Sequence, residues 1–170
     1  VPGCGFPSKA LAGVGVVFYL LLALRARLRA LGELADAGPD LGALLDLVAL
    51  GTVDDLVPLD HNNRLLVQAG LKRIRGGRAC AGVRALYRVA GRDPTRASAT
   101  DFGFVLGPRL NAAGRLQDMA LGIECLLSDD DPAAFEFAQR LQALNAERRE
   151  LQQQMVEQAE AAVLRADLSP

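Results

Sequence analysis

The sequence contains little of several residue types that often reveal a function. Among its 170 residues there is no tryptophan, and the eight aromatic residues, two tyrosines and six phenylalanines, are scattered along the chain. So few scattered aromatic side chains argue against the stacking platform with which many single-strand binders hold bases. The chain has one histidine, His61. Any histidine-rich metal site therefore needs ligands from elsewhere.

Cysteine and long apolar stretches are also scarce. Cys4, Cys80 and Cys125 form an odd set without a C-x-x-C pair, which fits a reducing compartment better than a disulfide framework or a zinc site. Cys80 has no base near it in the sequence, so a Cys-His nucleophile has no support. The longest apolar run, residues 10–24, has 15 residues, too few for a confident membrane span. These features predict a cytoplasmic protein that does not enter a membrane.

The charge is unevenly distributed along the chain. The net charge is −1, yet residues 64–115 hold eleven basic and two acidic residues, a local charge of +9. A basic segment between acidic ones favours a localised anion-binding face, although a solvated surface with its countercharges elsewhere fits equally well. Of the 19 basic residues 17 are arginine, the side chain suited to bidentate phosphate contacts.

Most of the chain carries helix signals. Ser8 can cap a helix over residues 9–32, and Ser98 with Asp101 forms a capping-box pattern. Further helices are predicted for "LGALLDL", "HNNRLLVQAGLKRIR", "GVRALYRVAG" and "MALGIECLLS". Asp131 as N-cap and Pro132 at the first helical position begin a helix that extends to about Arg165, with an apolar stripe between residues 137 and 162.

Two adjacent carboxylates follow the apolar run "LVALGTV", which is interpreted as a buried strand. Asp54 and Asp55 come at its end, where ligands gather in parallel sheets. A carboxylate placed there can bind Mg²⁺ or Mn²⁺, and neighbours on a strand point to opposite faces, so one of the two is expected to face the site. An aspartate in this position also commonly caps the next helix. For His61, which opens a predicted helix beside Asp60, a capping or surface role is expected.

The segment "GPRLNAAGR", residues 107–115, is a second concentration of interest. The Gly-Pro pair predicts a non-helical start. Small residues allow close backbone approach, Arg109 and Arg115 can each hold a phosphate, and Asn111 can donate or accept a hydrogen bond. Since this segment lies within the basic region, a phosphate-binding loop is favoured over a turn with solvated arginines.

Several consecutive stretches together resemble the DHH phosphoesterase family, in particular its single-stranded-DNA-specific exonucleases. They are "FPSKALAGVGVVFYLL", "LVALGTVDDLVPL", "HNNRLLVQAGLKRIR", "LGPRLNAAGRL" and "MALGIECLLSDD", in the family's order and over nearly the whole chain. The resemblance implies a metal-dependent hydrolase that degrades single-stranded DNA from the 5′ end. It also implies Mn²⁺ or Mg²⁺ as cofactor, and a role in DNA repair and recombination beside a single-strand-binding protein and a helicase.

The resemblance assigns roles to particular residues. The family's G-T-V-A-D motif, laid on "GTVDD", puts its metal-ligating aspartate on Asp55, while Asp54 stands where the family has alanine. Asp54 is then either a further metal ligand or a helix cap. The family's Arg-Leu-Asn-Ala-Ala-Gly-Arg motif matches residues 109–115 without change, which implies DNA-phosphate contacts for Arg109, Asn111 and Arg115.

The implied architecture is an α/β parent with a parallel-sheet DHH domain. The present chain is expected to be mostly helical with one or two strands: residues 1–60 the end of the catalytic domain, 61–130 a basic helical part with the phosphate loop, and 131–170 a connector helix. The family's Asp-x-Asp, second aspartate and Asp-His-His motifs are expected upstream, and its Gly-Gly-His domain downstream, so the chain alone is expected to be inactive. Two alternatives stay open: a DHH phosphoesterase acting on short oligonucleotides or cyclic dinucleotides, and a non-catalytic helical interaction module.

Overall fold

The structure is a computed structural model that describes residues 3–34, 38–116 and 118–165, with backbone only for 115, 116, 164 and 165. Every regular element in these ranges is helical. In chain order they are α1 (Gly13–Ala30), α2 (Leu45–Asp54), α3 (His61–Arg75), α4 (Ala81–Val89), α5 (Ala99–Asp101), α6 (Gly107–Leu116), α7 (Ala120–Leu127) and α8 (Asp131–Arg165). Short 3-10 turns occupy Leu41–Leu44 and Pro94–Arg96, and a π-helical turn, Phe102–Leu106, joins α5 to α6.

The predicted strand "LVALGTV" is wrong, because these residues form most of α2. Periodicity cannot separate a short buried strand from a helix that is covered on several sides. α2 is such a helix: α1 and α3 both pack against it, and Val48, Ala49 and Leu50 are all buried. The hydroxyl of Thr52 donates to the carbonyl of Val48 at 2.6 Å, which satisfies this polar group inside the helix.

Close packing of α2 on α3 depends on one glycine. A Cβ atom added to Gly70 would lie 2.3 Å from both the Cβ of Ala49 and the carbonyl oxygen of Leu45. Only a residue without a side chain therefore allows the two backbones to come this close. The contact fixes the first half of α2 against α3.

The predicted helix signals are largely confirmed. Asp60 caps α3 by accepting a hydrogen bond from the backbone of Asn63 at 2.9 Å, and Gly77 with φ +70° follows the helix end. The capping box of Ser98 and Asp101 is present at the start of α5. α1 begins later than predicted, at Gly13, because the hydroxyl of Ser8 donates to Asp60 at 2.7 Å instead of capping α1.

The long helix α8 covers the main core with its first half only. It packs against α4, α6 and α7. Leu141 and Leu144 are buried, whereas Leu151 is 42% and Met155 69% exposed. The apolar stripe predicted for residues 137–162 thus divides into a buried and an exposed part. The helix is capped by Asp130, one residue earlier than predicted, whose side chain accepts from the backbone of Ala133.

One hydrophobic core draws residues from α2, α3, α4, α6, α7 and α8, so it crosses the predicted boundaries near residues 60 and 130. The division at these two positions stays a prediction. A smaller cluster of Phe18, Leu41, Val48 and Leu66 lies where α1, α2 and α3 meet. No helix in the described ranges combines the length and apolar character needed to cross a membrane.

Candidate functional site

The two aspartates at the end of α2 have different environments. Asp54 is the last helical residue and is half-buried, while Asp55 is the C-cap and is exposed. Leu56 follows with φ +54°, a left-handed conformation that is uncommon outside glycine, and its N–H donates to the carbonyl of Val53. Successive residues of a helix are rotated by about 100° around its axis. The side chains of Asp54 and Asp55 therefore point in different directions because they end a helix, and not because they alternate along a strand.

Asp54 is held by Asn111 of α6. The side-chain amide nitrogen of Asn111 donates to both carboxylate oxygens of Asp54, at 3.1 Å each. A Cβ atom on Gly107 would lie 1.9 Å from Asp54 Oδ1, so the carboxylate also lies against the backbone of α6. Burial raises the pKa of Asp54, Asn111 opposes this by stabilising the anion, and the nearby charge of Asp55 adds to the increase. Asp54 thus joins α2 to α6.

The carboxylate of Asp55 is available for a ligand. It forms no hydrogen bond or ion pair with any residue that the structure describes, and the side chain is exposed. Asp60 and His61, by contrast, belong to the start of α3. Asp60 accepts from Ser8 and Asn63, which lowers its pKa, with the backbone of Asn63 as the largest cause. His61 is exposed at the first helical position, as predicted.

The predicted phosphate loop is wrong in its backbone form, because residues 107–116 are α6. Gly107 has helical angles, φ −53° and ψ −49°, in spite of the proline that follows. Glycine has no Cβ, which reduces the clash that normally excludes a residue before proline from the helix. A π turn precedes the helix, and in it the N–H of Gly107 donates to the carbonyl of Phe102 five residues earlier. The next residue, Pro108, has no N–H to donate.

Because the segment is helical, two of its predicted phosphate residues, Arg109 and Asn111, face different neighbours. Asn111 faces α2, whereas Arg109, two positions earlier and rotated by about 200°, faces α8. There its Nε donates to Gln142 at 2.7 Å, and Nη1 donates to the carbonyl of Val105. Arg109 is only 9% exposed. Arg115 lies in α6, but its side chain is outside the described residues.

Two arginines that the sequence did not single out act electrostatically on Arg109. Burial lowers the pKa of Arg109 most, and the positive charges of Arg149 and Arg92 lower it further. Arg92 follows α4 and Arg149 lies on α8. The +9 segment was the one signal for such a cluster, but Arg149 lies outside that segment and reaches the cluster only through helix packing.

No family model matches. Curated relatives do: the single-stranded-DNA-specific exonuclease RecJ of Dickeya dadantii is 59% identical over 152 residues, covering 88% of this chain and 26% of the relative. RecJ of Escherichia coli K12 is 56% identical over 164 residues, covering 95% and 28%. The chain belongs to the RecJ family.

Solved structures agree with this assignment. RecJ of Thermus thermophilus in complex with Mg²⁺ is similar with a TM-score of 0.77 and 34% identity, over 91% of this chain and 23% of that one. A second structure of the same RecJ, in complex with Mn²⁺, gives the same TM-score. The present chain spans about a quarter of the length of the curated RecJ relatives that it matches.

The residues present fit one part of a metal site and not a whole one. Within residues 3–34, 38–116 and 118–165, no three His, Cys, Asp or Glu side chains are grouped so that they could hold an ion. Of the two aspartates at the end of α2, Asp55 offers an exposed carboxylate without a partner among the described residues, and oxygen ligands of this kind suit Mg²⁺ and Mn²⁺. Asp54, held by Asn111, is less suited, because a metal would have to replace both hydrogen bonds.

Proposed function

We propose that the chain is part of a RecJ exonuclease, which hydrolyses phosphodiester bonds of single-stranded DNA from the 5′ end with Mn²⁺ or Mg²⁺. The observation that supports this most directly is the exposed Asp55 carboxylate at the end of α2. It has no partner among the described residues, while its neighbour is engaged by Asn111. The 59% identity to a protein named as a single-stranded-DNA-specific exonuclease supports the substrate class.

The residues of this chain would divide the work as follows. Asp55 would contribute one ligand to a metal site that is completed by residues outside this chain. When bound, the cation supplies an activated water and stabilises negative charge on the phosphoryl oxygens. Asp54 and Asn111 would hold the end of α2 against α6, so that the backbone carrying Asp55 keeps its position. Arg115 remains a predicted phosphate contact, since it belongs to the matched motif.

The cellular setting is also part of the proposal. A RecJ enzyme would work in the cytoplasm in DNA repair and recombination, beside a single-strand-binding protein and a helicase. The substrate preference separates this proposal from a DHH phosphoesterase for short oligonucleotides or cyclic dinucleotides. Digestion of a long single strand and of a dinucleotide, compared at equal nucleotide concentration, distinguishes the two: a RecJ enzyme degrades the long strand.

The proposal is tested by replacing Asp55 with Asn in the full-length protein. Replacing a residue that supports a metal ligand can reduce activity by roughly 100-fold, and loss of the ligand itself should reduce turnover at least as much. Binding of single-stranded DNA should be largely kept. Turnover is measured with Mn²⁺ and with Mg²⁺. Asp54→Ala is the matched comparison: it removes the link between α2 and α6 but keeps the Asp55 ligand, so it should reduce turnover far less than Asp55→Asn does. Normal turnover in Asp55→Asn would contradict the role of Asp55, and a wild-type protein that leaves single strands intact would contradict the function.

A further inference from the structure

The two most exposed large apolar side chains among the described residues flank the end of α2. Leu56 is 86% and Phe104 is 76% exposed. Leu56 follows Asp55 directly in the sequence. Phe104 belongs to the π turn that joins α5 to α6, and this turn packs against α2. Two large apolar groups therefore face water beside the aspartate that is available for a metal, an arrangement that improves when another apolar group covers them.

Two close contacts fix the backbone of Phe104 relative to the end of α2. A Cβ atom added to Gly103 would lie 3.7 Å from Cγ1 of Val53. One added to Gly107 would lie 1.9 Å from Oδ1 of Asp54. The residue before Phe104 and the residue three positions after it thus lie against the last two residues of α2. The backbone that carries the Phe104 ring is held beside the final turn of this helix.

Both side chains are carried by uncommon backbone conformations. Leu56 has φ +54°, a left-handed conformation that glycine and asparagine adopt more readily than leucine. Phe104 lies in a π turn, a rare element that is often found at functional sites. A glycine or asparagine at position 56 would form the same turn with less strain and without an apolar group in water. Neither the turn nor packing within the described residues therefore explains the leucine.

The location of this pair distinguishes it from other exposed apolar side chains. Such side chains are common on protein surfaces and have no meaning by themselves. Leu127, for example, is 72% exposed on α7, a helix that packs on α4, α6 and α8. Leu56 and Phe104 instead adjoin the residue proposed as a metal ligand. A nucleotide bound at that metal would lie beside them and could cover them with its base and sugar.

We propose that Phe104 and Leu56 form an apolar contact for the nucleotide whose phosphodiester bond is cut, with the Phe104 ring stacked on its base. The proposal rests on the proposed function and extends it from the metal ligand to the nucleotide. One ring is sufficient for one nucleotide, so this contact does not need the extended platform that the scarcity of aromatic residues argues against. Every base has a π face, so such a contact accepts any base.

The test combines a substitution in the full-length protein with removal of one base from the substrate. Oligo-dT strands carry a normal or an abasic 5′-terminal nucleotide, and kcat/KM for shortening a 3′-labelled strand by one nucleotide is measured with Mn²⁺. For the wild-type protein, loss of the base should lower kcat/KM by about tenfold, which corresponds to ~1.4 kcal/mol and is usual for one stacked base. Phe104→Ala should lower kcat/KM for the normal strand by the same factor, with little further effect on the abasic strand. Affinities measured by fluorescence anisotropy in EDTA, where no strand is cut, should follow the same pattern.

Further variants separate stacking from a general effect on the protein. Phe104→Tyr keeps a flat ring and should keep the preference for the normal strand, whereas Phe104→Leu should lose most of it. Leu56→Asn suits the left-handed turn and removes the apolar group, so it should lower kcat/KM by a smaller factor than Phe104→Ala does. Leu127→Ala is the matched control, because it removes a similarly exposed apolar side chain from α7 and should change neither strand. Thermal unfolding of each variant checks that the fold is intact.

Two results would overturn the proposal while leaving the nuclease in place. In the first, the wild-type protein shortens both strands equally well, or Phe104→Ala slows both by the same factor, so that the ring does not act through the base. In the second, Phe104→Ala lowers the melting temperature but keeps the preference for the normal strand, which would mean that another part of the full-length protein covers the ring. If the wild-type protein shortens neither strand, the proposed function itself fails, and this is seen before any variant is compared.

Discussion

At the scale of single residues, the end of α2 shows how one turn of helix gives two neighbouring carboxylates different tasks. Asp54 faces α6, where burial raises its pKa and Asn111 stabilises its charge. Asp55 is exposed, because the helix ends with it and Leu56 turns the chain away. The presence of a carboxylate at position 54, where the family motif has alanine, therefore does not add an obvious second metal ligand. It adds a hydrogen-bonded link between two helices.

This link gives a prediction about Gly107. An added Cβ would lie 1.9 Å from Asp54 Oδ1 and 2.9 Å from the carbonyl oxygen of Phe102. Gly107→Ala should thus lower the free energy of unfolding by about 1–3 kcal/mol, the usual cost of overpacking. In an Asp54→Ala background the closest contact is gone, so the cost should fall by about 1 kcal/mol or more. Urea unfolding of the four proteins in the cycle measures this coupling.

The control for this cycle is the neighbouring carboxylate. Asp55 is exposed and lies outside the Gly107 contact, so Asp55→Ala should leave the cost of Gly107→Ala unchanged. Equal costs in the Asp54→Ala and wild-type backgrounds would mean that the clash is not with Asp54. The clash with the Phe102 carbonyl would then account for the whole effect.

At the scale of elements, the sequence predicted helices with clear end signals and missed those whose identity depends on their neighbours. α3 has a cap at Asp60 and a glycine stop, and the capping box at Ser98 is local too, so both were predicted correctly. α2 is covered by α1 and α3, so its apolar run has no helical periodicity to read. α6 begins with Gly-Pro, a pair that usually stops a helix. The helix forms here because a π turn leads directly into Gly107, and the sequence did not predict this turn.

The site was predicted in part for the same reason. The roles that the matched motifs gave to Asp55 and Asn111 stay predictions, while the structure brings their two segments together through the hydrogen bonds between Asn111 and Asp54. The separation of Arg109 from Asn111 could not be predicted while residues 107–115 were interpreted as a loop. Once they are helical, a spacing of two residues requires opposite faces. The effect of Arg149 on the pKa of Arg109 depends on the packing of α8 on α6, which no local pattern encodes.

The division of α8 into a buried and an exposed half gives a prediction about stability. Leu141 is fully buried, whereas Leu151 on the same helix is 42% exposed. Leu141→Ala should lower the free energy of unfolding by about 2–5 kcal/mol, since it removes buried apolar contacts and leaves a cavity. Leu151→Ala should change it by no more than about 0.5 kcal/mol, as for other surface positions.

Chemical denaturation of both variants in the 170-residue chain tests this pair. The substitution is the same on the same helix, so helix propensity cancels in the comparison. A similar loss for both leucines would mean that the second half of α8 is packed as firmly as the first, contrary to the exposure of Leu151 and Met155.

At the scale of the whole molecule, the chain combines a basic segment with an incomplete set of metal ligands among its described residues. The +9 segment supplies Arg92 and Arg109, and the positive charge of Arg149 on α8 also acts on Arg109. Of the two aspartates predicted as metal ligands, Asp54 is engaged with Asn111 and Asp55 is exposed. The chain is therefore better equipped to hold a polyanionic strand than to cut one.

This imbalance predicts that binding and cleavage separate when residues 1–170 are produced alone. Two-metal hydrolysis needs several ligands, and no group of three metal-ligating side chains occurs in the part of the chain that the structure describes. The isolated chain should thus release no nucleotides from single-stranded DNA with Mn²⁺ or Mg²⁺, and calorimetric titration with Mn²⁺ should give no tight site. The full-length protein should release nucleotides and should bind Mn²⁺ at a tight site. Metal-dependent nucleotide release by the isolated chain, abolished in its Asp55→Asn variant, would mean that its own residues complete the centre.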